Sequence, residues 1–192
     1  MVERAFLIPL LVVLLQLFQS GASSCTCTTG TKLYDGKFAW HCYYASTTAY
    51  AGSNAEAQCN ALGTGWTLVV PVSAEENIAI TEYLMGIGRN DRYWIGLTDY
   101  VVEGTFKTTK GQSWSSTTHF HNWDLPDNEP DNINNQDCVA MGTRRNYQGY
   151  EWYDIGCTTA YRIICRNICF HSKLCADLCA ERYKSELVYY VS

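Results

Sequence analysis

"DNEPDNINNQDC", residues 127–138, sets Asp127, Glu129, Asp131 and Asp137 among five carboxamides around one proline. Such a run has two readings. It is a solvated acidic loop, or it is a cage of oxygen ligands for a hard cation. Calcium takes about six to eight oxygens from carboxylates, carboxamides, backbone carbonyls and water, whereas magnesium keeps more of its waters. Acidity by itself does not choose between these readings. The flanking sequence does.

From Gly104 to Asp137, a span that takes in most of the run, hydrophobic periodicity dissolves into Gly, Ser, Thr, Asn, Asp and Pro, with isolated Trp114 and Trp123. An irregular segment this long inside a compact domain is unusual and points to function. Around it the pattern is regular. "YDGKFAWHCYYAS" (34–46) reads as a strand, and so do "RYWIGLTD" (92–99), "DCVAMG" (137–142) and "YRIICRN" (161–167). "SNAEAQCNALG" and "SAEENIAITEYLMG" each open with a serine and carry a glutamate three residues on. The Ser53–Glu56 and Ser73–Glu76 pairs predict capping boxes, and Gly63 and Gly86 predict the stops. Cys59 falls on the inner side of the first helix. Strand, helix, helix and then strands around a long loop is an α+β plan, not alternating βαβ.

Residues 1–22 hold Arg4, an apolar run from Ala5 to Phe18, and small residues at the end. They read as a secretory signal peptide; the run is short of the ~20 residues of a spanning helix. All ten cysteines follow it: Cys25, Cys27, Cys42, Cys59, Cys138, Cys157, Cys165, Cys169, Cys175 and Cys179. An even count after such a leader implies disulfides, and the spacing does not suit a zinc site. A net charge of −5 without a Lys/Arg cluster argues against nucleic acid as a partner. No Ser/His/Asp or Cys/His arrangement and no phosphate-cradling glycine loop supports an enzyme. His119 and His121 form a lone pair without acidic or Cys partners. Residues 168–192 form a distinct tail, with Leu174, Cys175, Leu178 and Cys179 at the spacing of a short amphipathic helix.

"WIGLTD" at 94–99, Asp99-x-x-x-Glu103-Gly, Trp123, "EPDN" at 129–132, "QDC" at 136–138, "WYDIGC" at 152–157 and "YRIIC" at 161–165 occur in this order. The chain thereby resembles the C-type lectin domain family. The resemblance covers about residues 27–166, and a domain over 25–167 is expected. It implies two helices and a small antiparallel sheet carrying a long calcium-binding loop, stapled by disulfides. It implies Cys59–Cys165 and Cys138–Cys157, with an N-terminal bridge from Cys42 to Cys27 or Cys25, of which Cys27–Cys42 is adopted.

The resemblance also implies ligands. A sugar-site calcium would be held by Glu129, Asp131, Gln136 and Asp154, with Glu129, Asp131, Tyr153 and Asp154 meeting the sugar and Pro130 in the cis form. A structural calcium would be held by Asp99, Glu103, Asn132 and Asp137, all of which match. The sugar site departs from the family at three positions: Asp131 stands for an amide, Gln136 for a glutamate and Tyr153 for an asparagine. The carboxylate count is kept, but Tyr153 is a loss, because a phenol is a poor calcium ligand and offers no amide N–H. Trp123 or Tyr153 would stack on a sugar face, or else Trp123 belongs to the core.

The function expected is that of a secreted, calcium-dependent lectin in innate recognition of microbial or cell-surface glycans. Mannose-type sugars are slightly favoured over galactose-type because Glu129 keeps its place. The tail would pack against the domain through its cysteines, with homo-oligomers formed through it as the other reading, and no segment after the leader would span a membrane. The other reading is a matrix or inhibitory domain of the same fold that binds protein or mineral without sugar.

Overall fold

The computed structural model describes residues 27, 32–35, 39–88, 91–142 and 150–170. The expected leader, Cys25 and the expected tail helix with Cys175 and Cys179 lie outside the described residues.

Strands β1 (Lys32–Asp35) and β2 (Ala39–Ala45) form a hairpin where one strand was expected over 34–46. β3 (Tyr50–Ala51), helix α1 (Gly52–Asn60), β4 (Thr67–Leu68) and helix α2 (Ala74–Gly86) follow. Then come β5 (Arg92–Thr98), β6 (Lys107–Thr108), a 3-10 turn at Leu125–Asp127, β7 (Cys138–Gly142), β8 (Glu151–Ile155) and β9 (Ala160–Phe170). β8 was not foreseen in sequence, and β9 runs past the expected boundary at Asn167.

Among the described residues the strands join in one sheet of order β1-β2-β9-β5-β7-β8, with β3 and β4 on β9 and β6 on β5. The expectation of an antiparallel sheet is corrected in one place. β5 and β9 pair in parallel, through Tyr93↔Arg162 and Trp94↔Ile163, so the sheet is mixed. These two strands are central and covered on both faces, which is why they read as continuous apolar runs.

Side chains alternate across the sheet and sort into two cores. Tyr93, Ile95, Leu97, Val139, Met141, Trp152 and Ile164 share one with Ile80 and Leu84 of α2. Trp94, Ala140, Tyr153, Ile163 and Cys165 share the other with Ala55 and Cys59 of α1. The irregular segment is part of the first core. Phe106, Trp114 and Trp123 are buried against Trp152, with ring centroids 5.9 Å apart for Trp123–Trp152 and 6.4 Å for Trp114–Trp152. Trp123 is therefore a core residue.

Cys59–Cys165, Cys138–Cys157 and Cys27–Cys42 are all bonded. The first spans 106 residues; closing a loop of that size stabilises by about 4.7 kcal/mol in the chain-entropy model. Gly52 opens α1 where a Cβ would lie 3.1 Å from both the Cys138 sulfur and the Trp94 ring, so a larger residue would push the helix start or that bridge aside by a few tenths of an ångström.

One of the two serines caps its helix and the other does not. Ser73 is the N-cap of α2, and its hydroxyl accepts from the Glu76 N–H at 3.2 Å. The Glu76 carboxylate reaches back to the Val72 N–H at 2.9 Å rather than to that of Ser73. The cap of α1 is Ala51, with no side-chain hydrogen bond, so Ser53 is inside the helix. Glu56 instead accepts from Thr67 Oγ1, the Leu68 N–H and Thr109 Oγ1, and pairs with Lys110. Donors from β4 and from the turn after β6 outcompete a local cap.

Candidate metal centre

The entrance to the ligand loop is laid along β8. The Asp124 N–H donates to the Trp152 carbonyl at 2.9 Å, and the Asp124 carbonyl accepts from the N–H groups of Asp127 (3.0 Å) and Glu129 (3.2 Å). The Glu129–Pro130 peptide is cis, as the resemblance implied. Beyond it the chain closes over Asp154. The Asp131 N–H donates to Asp154 Oδ1 at 3.1 Å and the Asn132 N–H to Asp154 Oδ2 at 2.9 Å.

The carboxamides serve the backbone. Asn128, Asn132, Asn134 and Asn135 all have positive φ, between 50° and 64°. Asparagine tolerates that left-handed region better than other residues with a Cβ. Asn132 Oδ1 accepts from the Gln136 N–H at 2.7 Å, Asp131 Oδ1 from the Ile133 N–H at 3.0 Å, and Asp137 Oδ2 from Asn135 Nδ2 at 2.8 Å. The stretch is a built loop, not a solvated run.

Glu129, Asp131 and Asp154 each present a carboxylate oxygen, all within 4.8 Å of one another. Glu129 is only 5% exposed. Gln136 Oε1 is buried without a hydrogen-bond partner, as is Asp99 Oδ1. Three convergent carboxylates and an orphaned amide oxygen fit a hard cation of calcium's kind; soft metals would call for Cys or His.

The second quartet is brought together less completely. Asp99 Oδ2 accepts from the Gly104 N–H at 2.9 Å, and the Asp99 N–H donates to the Asp137 carbonyl at 3.2 Å. Burial, with the neighbouring Glu103 charge adding to it, pushes the Asp99 carboxyl up to about 6 against the Gly104 hydrogen bond. Among the described residues, only the Glu129 group places three such ligand atoms together.

Tyr153 is placed elsewhere. It is 0% exposed and lies in the core shared with Trp94 and Ala140, with its ring 6.4 Å from Tyr161 and the Arg92 guanidinium 5.7 Å above it. Asp154, the next residue in β8, is on the loop side. The expected pair is thus split across the sheet. One buried acid was missed: Asp124 at the loop's base, whose Oδ2 is buried without a hydrogen-bond partner. Its only sequence signal is its place directly after a core tryptophan.

A model of the family described as "Lectin C-type domain" matches residues 48–167. The chain belongs to the C-type lectin domain family. This C-type lectin domain is 30% identical over 168 residues to lectin BRA-3 of Megabalanus rosa, covering 85% of this chain and 93% of that protein. It is 30% identical over 131 residues to the alpha-N-acetylgalactosamine-specific lectin of Patiria pectinifera, covering 66% of this chain and 73% of the relative. The C-type lectin CEL-I of Cucumaria echinata superposes with a TM-score of 0.62 at 26% identity, over 76% of this chain and 99% of that one. The family and fold are those of binding proteins rather than enzymes. No described helix is long and apolar enough to cross a membrane.

Proposed function

We propose that this domain is a secreted, calcium-dependent glycan-binding protein. The observation that carries the reading is the convergence of Glu129, Asp131 and Asp154 beside a cis proline, in a chain of this family. Glu129, Asp131, Gln136 and Asp154 would hold the sugar-site calcium. Asp99, Glu103, Asn132 and Asp137 would hold a second that secures the loop. Bound calcium would supply a Lewis-acidic point for sugar hydroxyls. The protein's part is to fix the acceptors: two backbone N–H groups orient Asp154, and the cis bond sets Glu129 and Asp131 on either side of Pro130. The Cys-rich chain and its leader-like N-terminus support secretion.

Mannose-type sugars are slightly favoured on the place of Glu129, although one relative is named for alpha-N-acetylgalactosamine. Recognition of microbial or cell-surface glycans by tail-linked oligomers would raise a weak single-site affinity through effective concentration. The burial of Tyr153 supports a second reading, in which the domain keeps calcium and binds protein or mineral. A glycan array run in calcium and in chelator separates the two. Retention on sugar resin, release by chelator, and its loss in Glu129→Gln and Asp154→Ala are expected. A protein that ignores every glycan in calcium would sink the lectin reading.

A further inference from the structure

We propose that the turn from Asp99 to Gly104 is a lipid-docking tip, on which Tyr100, Val101 and Val102 enter the surface of an anionic phospholipid bilayer when calcium is bound. The proposal goes beyond glycan binding. It rests on the reading above only for the calcium at Asp99, Glu103, Asn132 and Asp137.

Tyr100, Val101 and Val102 are consecutive, and they are 75%, 75% and 56% exposed. Apolar residues exposed singly are ordinary, whereas a contiguous run marks a contact surface. Nine large apolar residues are exposed among the described ones, and five of them are these three with Leu125 and Ile133 of the ligand loop. Apolar exposure is thus concentrated on the segments that carry the expected cation ligands. The turn is ordered by its own bonds. The Val102 N–H donates to the Asp99 carbonyl at 3.0 Å, the Thr105 N–H to the Val102 carbonyl at 2.9 Å, and the Gly104 N–H to Asp99 Oδ2 at 2.9 Å. Thr98 Oγ1 accepts from the Tyr100 N–H at 3.2 Å and donates to the Asp137 carbonyl at 2.6 Å, which ties the turn to the ligand loop. Backbone groups already bonded lose little when water is removed, so the side chains keep their gain on burial.

Area and charge choose the occupant. A stable protein partner buries about 800 Å² on each side around a packed core. Three residues on one turn fall far short of that, while a fluid bilayer needs no matching surface. The residue types suit it, since tyrosine favours the headgroup level and valine the hydrocarbon. Asp99 and Glu103 flank the three residues, and the Asp99 N–H holds the Asp137 carbonyl at 3.2 Å. The one base on the adjoining strand is Lys107, opposite Thr98, and the chain carries a net charge of −5. An anionic leaflet repels such a group. Calcium on those carboxylates cancels the repulsion, and phosphate oxygens are of the hard kind it accepts. Docking by this tip is therefore calcium-dependent.

The test is co-sedimentation of the full chain with glycan-free vesicles of phosphatidylglycerol and phosphatidylcholine, in calcium and in chelator. The native protein is expected to pellet in calcium and to stay in solution in chelator. Val101→Asp, at an exposed position outside every expected ligand, is expected to bind about tenfold more weakly, the scale of one valine side chain moved out of water. Val101→Leu is expected to keep the native binding. Circular dichroism and the calcium midpoint show that both variants are folded and loaded. Unchanged binding by Val101→Asp, or equal binding in chelator, overturns the docking tip. Equal binding to phosphatidylcholine alone overturns the anionic assignment. No binding in calcium that still raises the melting temperature overturns the tip and leaves the calcium and glycan readings standing. No binding and no calcium shift overturns the tip and the calcium reading together. A calcium-dependent dimer without vesicles, dissolved by Val101→Asp, assigns the turn to a second copy and overturns the lipid.

Discussion

Tyr153 and Asp154 are neighbours in β8 and face opposite sides of the sheet. Asp154 takes two N–H groups of the ligand loop, while Tyr153 fills the core beside Trp94 and Ala140. Strand geometry makes this unavoidable, since successive side chains alternate. Tyr153→Asn should therefore cost stability without adding a ligand. Emptying a buried aromatic site destabilises by about 3 kcal/mol or more. Urea melts should show that loss, with calcium-dependent glycan retention unchanged where the variant is folded. Tighter glycan binding by the variant would contradict the placement.

Asp154 is the hinge between sheet and loop. Asp154→Asn leaves one oxygen for two half-buried backbone donors, so the loop's hold on β8 is weakened by about 1 kcal/mol. Calcium at a hundredfold excess over its Kd should stabilise the native protein by about 2.7 kcal/mol. Thermal melts with calcium and with chelator should show that increment in the native chain and its near-absence in the variant.

The two helix starts respond differently. Ser73→Ala removes an observed cap and should cost about 1 kcal/mol. Ser53→Ala removes none and should be near neutral. Glu56→Ala strands the donors of Thr67, Leu68 and Thr109 and should be the most damaging of the three. Denaturant midpoints of the three variants check the order; an equal loss in Ser53→Ala would revive the first capping box.

Acid sensitivity should centre on Glu76. Burial raises its pKa, but the Arg166 charge and the His41 and Tyr43 contacts outweigh it and hold the carboxyl far below its ordinary 4.5. A depressed folded pKa stabilises above the unfolded value, and that stability drains away as pH falls below about 4.5. Glu76→Gln should flatten this acid limb. It should also lower stability near neutrality by about 3–5 kcal/mol, because Arg166 is left buried beside a neutral group. Urea midpoints across the acid range measure both effects.

Much of the site was legible in the chain. The "EPDN" and "QDC" segments placed Glu129, Asp131 and the cis proline, and the family resemblance implied Cys59–Cys165 and Cys138–Cys157, with Cys42 left between Cys27 and Cys25 until the structure joined it to Cys27. Asp124 was not legible, because an acid after a tryptophan looks like any loop residue until its backbone is seen pinned to Trp152. Nor was β8, whose short run "EWYDI" has aromatic residues on both faces and so shows no alternation.

By itself, then, the sequence determined the family, the ligand loop with its left-handed asparagines, and the acids available to a cation. Those properties are local, set within a dozen residues or by the order of motifs. The tertiary structure alone decided which acids converge, which face Tyr153 takes, and what Glu56 and Glu76 bind. Those depend on partners 11 to 90 residues away. A buried carboxylate goes to whichever donors the packed sheet and helices bring within reach, and no local pattern encodes that choice.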